Sequence, residues 1–96
     1  MKYTVQVKEE VRAFQATLGA DTRRALKRAI FGLATERGDI KALGENLAGY
    51  YRLKVGRYRV VFRYLPGLVI DCVNVDERKL VYEIFEAEMG RILGAE

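Results

Sequence analysis

Five basic side chains stand in the run YYRLKVGRYRVVFRY, residues 50–64, with no acidic residue among them. They are Arg52, Lys54, Arg57, Arg59 and Arg63. Arginine grips phosphate through two parallel N–H···O bonds and stays charged at any working pH. Lysine adds a point charge, and it acts as a base where neighbouring cations favour its neutral form. Such a cluster suits two tasks: holding an RNA backbone, and stabilising the extra negative charge of a phosphorane-like transition state. The interleaved tyrosines are of the type that stacks on unpaired bases. The plainer reading is a solvated polar face.

Other chemistries fail by absence. The chain has no histidine and a single cysteine, Cys72. That removes zinc sets, Ser-His-Asp and Cys-His arrangements, and RNA hydrolysis by a histidine pair. No glycine-rich nucleotide loop is present. Asp71, Asp76 and Glu77 lie near one another in sequence, but their spacing does not demand a magnesium ion. No metal and no cofactor is expected. Cys72 sits in an apolar run and reads as core filler. One cysteine allows no internal disulfide, which fits a reducing compartment. No run approaches a membrane span and no signal-peptide core opens the chain, so a cytoplasmic protein without a membrane partner is expected.

The net charge is +4 and the pI about 9.4 over 96 residues. The distribution says more than the total. Residues 71–96 carry seven acids against three bases, so positive charge is concentrated in the 50–64 run. A basic patch of this kind fits an anionic partner.

The elements that must position the patch follow from periodicity. Residues 1–7 alternate, with Tyr3, Val5 and Val7 on one face, and predict a strand. Residues 9–18 place Val11, Phe14 and Leu18 at helical spacing, with Gly19 as the stop. Asp21 is the expected N-cap of a second helix with a stripe of Ala25, Leu26, Ala29, Ile30, Leu33 and Ala34, ended by Gly38. Its bases Arg23, Arg24, Lys27 and Arg28 lie mainly off the stripe. Residues 39–49 read as a loop or short helix anchored by Leu43 and Leu47. A hairpin follows, turning at Gly56–Arg57. Arg52 and Lys54 share one face of its first arm. Arg59 and Arg63 share one face of the second, opposite Tyr58, Val60, Phe62 and Tyr64. Pro66–Gly67 signals a turn. Residues 68–75 form an apolar strand inside the sheet, whose Asp71 is expected to pair with Arg63. Residues 76–79 read as a polar turn, and residues 81–93 as a helix, or as a strand over 80–85. The prediction is one α+β domain over residues 1–96, a small antiparallel sheet on an N-terminal two-helix hairpin. Its order is βααβββ with a C-terminal helix or strand.

The run LAGYYRLKVGRYRVVF (47–62), followed by a strand and by VDERKLVY (75–82), resembles the RelE/ParE superfamily of toxin–antitoxin toxins. The resemblance covers nearly the whole chain and is sharpest over residues 49–60. It implies a toxin whose partner is a cognate antitoxin. RelE-like members cut messenger RNA on the ribosome, and ParE-like members poison DNA gyrase without nuclease chemistry. Matched position by position to the RelE-like pattern, the two bases after the aromatic pair are Arg52 and Lys54. The arginine of the G-x-Y-R segment is Arg59, and the later arginine and tyrosine are Arg78 and Tyr82. The resemblance implies Lys54 as base, Arg59 on the transition-state phosphate, Arg78 at the leaving group and Tyr82 orienting a base. Arg52, Arg57 and Arg63 would bind RNA phosphate. The position before Arg78, often histidine in such toxins, is Glu77, a departure that bears on the acid–base assignment. Structural alternatives stand beside these roles. Arg59 would pair with Glu83 or Glu86, Arg52 and Lys54 would solubilise an edge strand, Arg78 would be an exposed turn residue, and Tyr82 would cap the core. A further alternative is a toxin fold that has lost activity and only binds an antitoxin.

Overall fold

The structure is a computed structural model that describes residues 2–77. Strand β1 (Thr4–Val7) leads into helices α1 (Glu9–Ala16) and α2 (Ala20–Gly32), and a 3-10 turn (Leu33–Thr35) extends α2. Strand β2 (Asp39–Ala42), a second 3-10 turn (Glu45–Leu47), β3 (Tyr51–Val55), β4 (Tyr58–Leu65) and β5 (Val69–Glu77) follow. The five strands form one sheet in the order β1-β5-β4-β3-β2.

The α+β class and the N-terminal helix pair are as predicted, but the sheet is mixed. Strand β1 runs parallel to β5, while the other pairings are antiparallel. The expected antiparallel sheet and the βααβββ order therefore need correction, the first because β1 is parallel to β5 and the second because β2 occupies part of the segment read as a loop or short helix. Residues 39–42 alternate too briefly and with too little apolar content (Asp-Ile-Lys-Ala) to announce a strand. Strand β5 also runs through Asp76 and Glu77, where a turn was expected. The segment 81–93 lies outside the described residues.

Helix α1 has Lys8 as its N-cap, with no side-chain cap bond, and Glu9 and Glu10 in its first turn. Those carboxylates complement the positive end of the helix dipole. The N-cap of α2 is Gly19, so Asp21 falls inside the first turn and pairs there with Arg24 one turn on. The stop of α2 is not Gly38 either. Glu36 takes the left-handed conformation (φ 54°), the Arg37 amide donates to the Gly32 carbonyl at 3.0 Å, and the Glu36 amide donates to Leu33. This is a Schellman closure with a non-glycine residue. Gly38 (φ 111°) serves a different need, since a Cβ there would sit 2.8 Å from Leu53 Cδ1.

Both helices cover one face of the sheet. Val11, Leu26, Ile30 and Leu33 pack on Leu53, Val60, Phe62, Ile70, Cys72 and Val75. Phe62 stacks on Tyr51 and meets Tyr64 edge-on, with centroids 5.7 and 5.8 Å apart. Cys72 and Val75 both reach this core although they are three residues apart. A bulge makes this possible, as the register passes from Phe62↔Cys72 to Val61↔Asn74 and leaves Val73 unpaired.

Candidate nucleic-acid interface

The sheet face away from the helices carries the basic cluster, and the register sorts it into three rows. The first crosses Asp39, Lys54 and Arg59, and the second Lys41, Arg52 and Val61. The third crosses Gln6, Asp71 and Arg63. Gly56 (φ 60°) opens the two-residue turn between Val55 and Tyr58, the backbone a tight hairpin needs. Because Val55 and Tyr58 flank that turn, Lys54 and Arg59 form the next, non-hydrogen-bonded pair, whose side chains approach most closely. Like charges there repel unless an anion lies between them.

Each arginine has a distinct set of partners. The Arg52 Nη1 donates to the Asp39 carbonyl at 2.9 Å and lies 3.2 Å from the Asp39 carboxylate. Arg59 folds back on its turn, with Nη1 donating to the carbonyls of Gly56 and Tyr58, each at 3.1 Å. Arg57 is exposed in the turn. Lys54 is exposed, and its amino group makes no hydrogen bond or ion pair with the described residues. Arg52, Lys54 and Arg59 are thus brought together as the spacing predicts. The edge-strand reading of Arg52 and Lys54 is corrected, since β2 covers β3.

Arg63 lies apart from this trio. Its Nε donates to Asp71 Oδ2 at 3.1 Å, the pairing expected from sequence. Asp71 is 1% exposed. Its other oxygen accepts from Gln6 Nε2 at 3.0 Å, and Lys8 Nζ stands 3.9 Å from Oδ2. Between Arg63 and the trio stands a small second core, in which Val61 and Leu47 are buried against Leu43, Tyr50 and Val73. Leu43 and Leu47 are the anchors predicted for this segment. The apolar insertion was not legible, because Val61 shares its face with the arginines and only the fold of residues 43–50 shows what covers it.

The hairpin tyrosines do not join the basic face. Tyr51, Tyr58 and Tyr64 pack toward the helix side. Tyr64 Oη donates to Glu36 Oε2 at 2.8 Å, and burial first, then that bond and the Glu36 charge, raise its pKa. Cys72 is fully buried, and burial chiefly, with the neighbouring Asp71 charge, pushes its thiol up to about 12. That suits core packing and opposes a nucleophilic role. Among the described residues, no group of three metal-ligating side chains stands together. No helix among them is long and apolar enough to cross a membrane. Arg78 and Tyr82 lie outside the described residues.

The fold matches solved structures. The toxin–antitoxin complex RelBE2 from Mycobacterium tuberculosis contains a chain that superposes with a TM-score of 0.72 at 28% identity, over 81% of this chain and all of that one. The fold is that of the RelE/ParE toxins. A mutant of the E. coli toxin RelE in the free state matches over 93% of this chain and 97% of its own, with a TM-score of 0.70 and 18% identity. The YoeB/ParE toxin from Agrobacterium tumefaciens matches over 81% and 99%, with a TM-score of 0.62 and 16% identity. At those lower identities the likeness speaks for the RelE/ParE fold alone. No protein-family model matches the chain, and no curated protein matches its sequence.

Proposed function

We propose that this chain is the toxin of a toxin–antitoxin module and a metal-independent endoribonuclease acting on messenger RNA held by the ribosome. The observation that carries this reading is the exposed Lys54 amino group, without a partner among the described residues, beside Arg52 and Arg59 on the helix-free face. The RelE-type fold and the toxin–antitoxin complexes among its structural neighbours support the setting.

In the proposed reaction the ribose 2′-oxygen attacks the adjacent phosphorus and Lys54 Nζ takes its proton. Arg59 and Arg52 meet the charge that develops on the phosphoryl oxygens, where preorganised donors contribute most. The bond to the 5′-oxygen breaks and that oxygen takes a proton from water, leaving a 2′,3′-cyclic phosphate and a 5′-hydroxyl. Arg78 assists the departing oxygen and Tyr82 orients a base, both by resemblance. Arg57 adds phosphate contact from the turn. Arg63 has its Nε committed to Asp71, so it contributes to RNA only through its remaining Nη groups.

The test is a cell-free translation reaction with purified chain, run beside a gyrase supercoiling assay. The nuclease reading expects arrested translation with cut messenger and unimpaired supercoiling. Inhibited supercoiling with intact messenger would instead make the chain a ParE-like gyrase poison. Neither effect would leave an inactive fold that binds an antitoxin.

A further inference from the structure

Asp71 is the one charged side chain buried among the described residues. It lies on the helix-free face, because its neighbours Ile70 and Cys72 point into the core on the helix side. Gln6 from β1, Arg63 from β4 and Lys8 just beyond β1 converge on it. Lys8 is exposed and Arg63 half-exposed, so both cations stand on the solvent side of a sealed carboxylate. Two cations against one carboxylate leave the spot positive. Asp71 holds the guanidinium through Nε, which fixes the side chain and leaves the Nη pair for a further acceptor. Ordering already settled in the free protein is not charged against binding.

We infer that Arg63 and Lys8, held over Asp71, form a second phosphate subsite, reached by a single RNA strand that crosses from the trio with a base laid over Val61, Tyr50 and Val73. Three features select that ligand. The guanidinium fork and the lysine point charge together match the several oxygens of a phosphodiester. Arg59 and Arg63 lie on the same face of β4, four residues apart. At the rise of a strand that is roughly 13 Å, farther than one nucleotide step of the RNA backbone. The surface between them is the small apolar core of Val61 and Leu47 with half-buried Tyr50 and Val73. It suits the flat face of a base and not a phosphate. Charge at both ends with a base between is the pattern of a strand spanning more than one nucleotide. The inference rests on the RNA reading of the trio and deepens it, naming Lys8 as a substrate-binding residue and Asp71 and Gln6 as positioning residues.

The probe is 2′-O-methyl tetrauridylate, which lacks the attacking hydroxyl and stays intact, titrated into the full chain at low salt under NMR observation. Signals of the Arg63 Nε–H, the Lys8 side chain and the Val73 methyls should move together with those of Lys54. Lys8→Ala is the variant of choice, because its loss costs the fold little. It should weaken binding by about threefold to tenfold and lower the slope of log affinity against log salt by about 0.7. Lys8→Arg should restore both, and Arg24→Ala should change neither. A lysine that only supported Asp71 would leave the salt slope where it was. Shifts at Lys54 without shifts at Arg63 and Lys8, an unchanged slope in Lys8→Ala, or no binding at all would each overturn the inference. So would a hexaglutamate peptide that moves the Arg63 and Lys8 signals as strongly as the tetranucleotide does. Messenger cleavage on the ribosome is measured in parallel. Uncut messenger with Lys8-dependent binding would refute the nuclease reading and uphold the subsite. Cut messenger with binding indifferent to Lys8 would refute the subsite and uphold the nuclease reading.

Discussion

Arg63→Ala is the substitution whose cost can be worked most directly from the structure. The Asp71 carboxylate is 1% exposed and has three partners: Arg63 at 3.1 Å, Gln6 at 3.0 Å and Lys8 at 3.9 Å. Removing Arg63 leaves a buried anion held by one neutral amide and one lysine at the limit of an ion pair. Breaking a fully buried pair this way costs about 3–5 kcal/mol. The Arg63 side chain is 38% exposed, so solvent already screens part of the interaction. The discounted expectation is about 2 kcal/mol for Arg63→Ala. Lys8→Ala, on a side chain 46% exposed and farther away, should cost under about 1 kcal/mol. Asp71→Asn keeps the shape and removes the charge, so the Arg63→Ala/Asp71→Asn cycle should return a coupling of about 1–2 kcal/mol. Urea unfolding at neutral pH measures the four proteins of the cycle and Lys8→Ala, and with a slope of about 1–1.5 kcal/mol per molar the Arg63→Ala midpoint should fall by roughly 1–2 M. Equal losses for Arg63→Ala and Lys8→Ala, or a coupling near zero, would refute the claim that Asp71 commits Arg63 to the fold.

Three further outcomes follow from individual environments. Burial pushes the Cys72 thiol from 9.0 up to about 12, so the unfolded chain releases that proton first as pH rises. Its stabilising contribution is present below about pH 9 and is lost toward pH 12, by up to about 1.4 kcal/mol per pH unit, a slope that Cys72→Ala should flatten in pH-dependent unfolding. Gly38→Ala forces a left-handed φ of 111° on a residue whose Cβ would sit 2.8 Å from Leu53 Cδ1. It should destabilise by about 1–3 kcal/mol, read from the urea midpoint. Tyr64→Phe loses the bond to Glu36, which is exposed. The same assay should show about 0.5–1 kcal/mol for it, the low end for a hydrogen bond.

Much of this molecule was legible because its periodicities are undisguised. Arg52 and Lys54 alternate with Tyr51, Leu53 and Val55, and Arg59 and Arg63 with Val60 and Phe62, so the two faces of the hairpin could be assigned before any pairing was known. Asp71 could be matched to Arg63 because a lone acid inside an apolar strand needs a cation. The parallel pairing of β1 with β5 was not legible. Alternation says that Val5 and Val7 are buried on one side, but it does not name their neighbours in the sheet, Ile70 and Cys72, each 65 residues away. Helix ends were misjudged for a related reason. Asp21 and Gly38 have the residue types of a cap and a stop, yet the structure caps α2 with Gly19 and closes it at Glu36, where two backbone hydrogen bonds offset the left-handed conformation. The patch itself was read as one basic side of the hairpin, shared by Arg52, Lys54, Arg59 and Arg63. The fold divides it, because Val61 packs under Leu47 and separates Arg63 from the trio at Arg52, Lys54 and Arg59.

That trio carries the central claim, and primer extension on messenger RNA from a translating ribosome reaction tests it most directly. The account predicts discrete cuts within ribosome-bound codons for the unaltered chain. Lys54→Ala should cleave about 10²–10⁴-fold more slowly, and Arg24→Ala, on the far helix, should cleave at the original rate. Intact messenger with the unaltered chain, or undiminished cutting by Lys54→Ala, would contradict it.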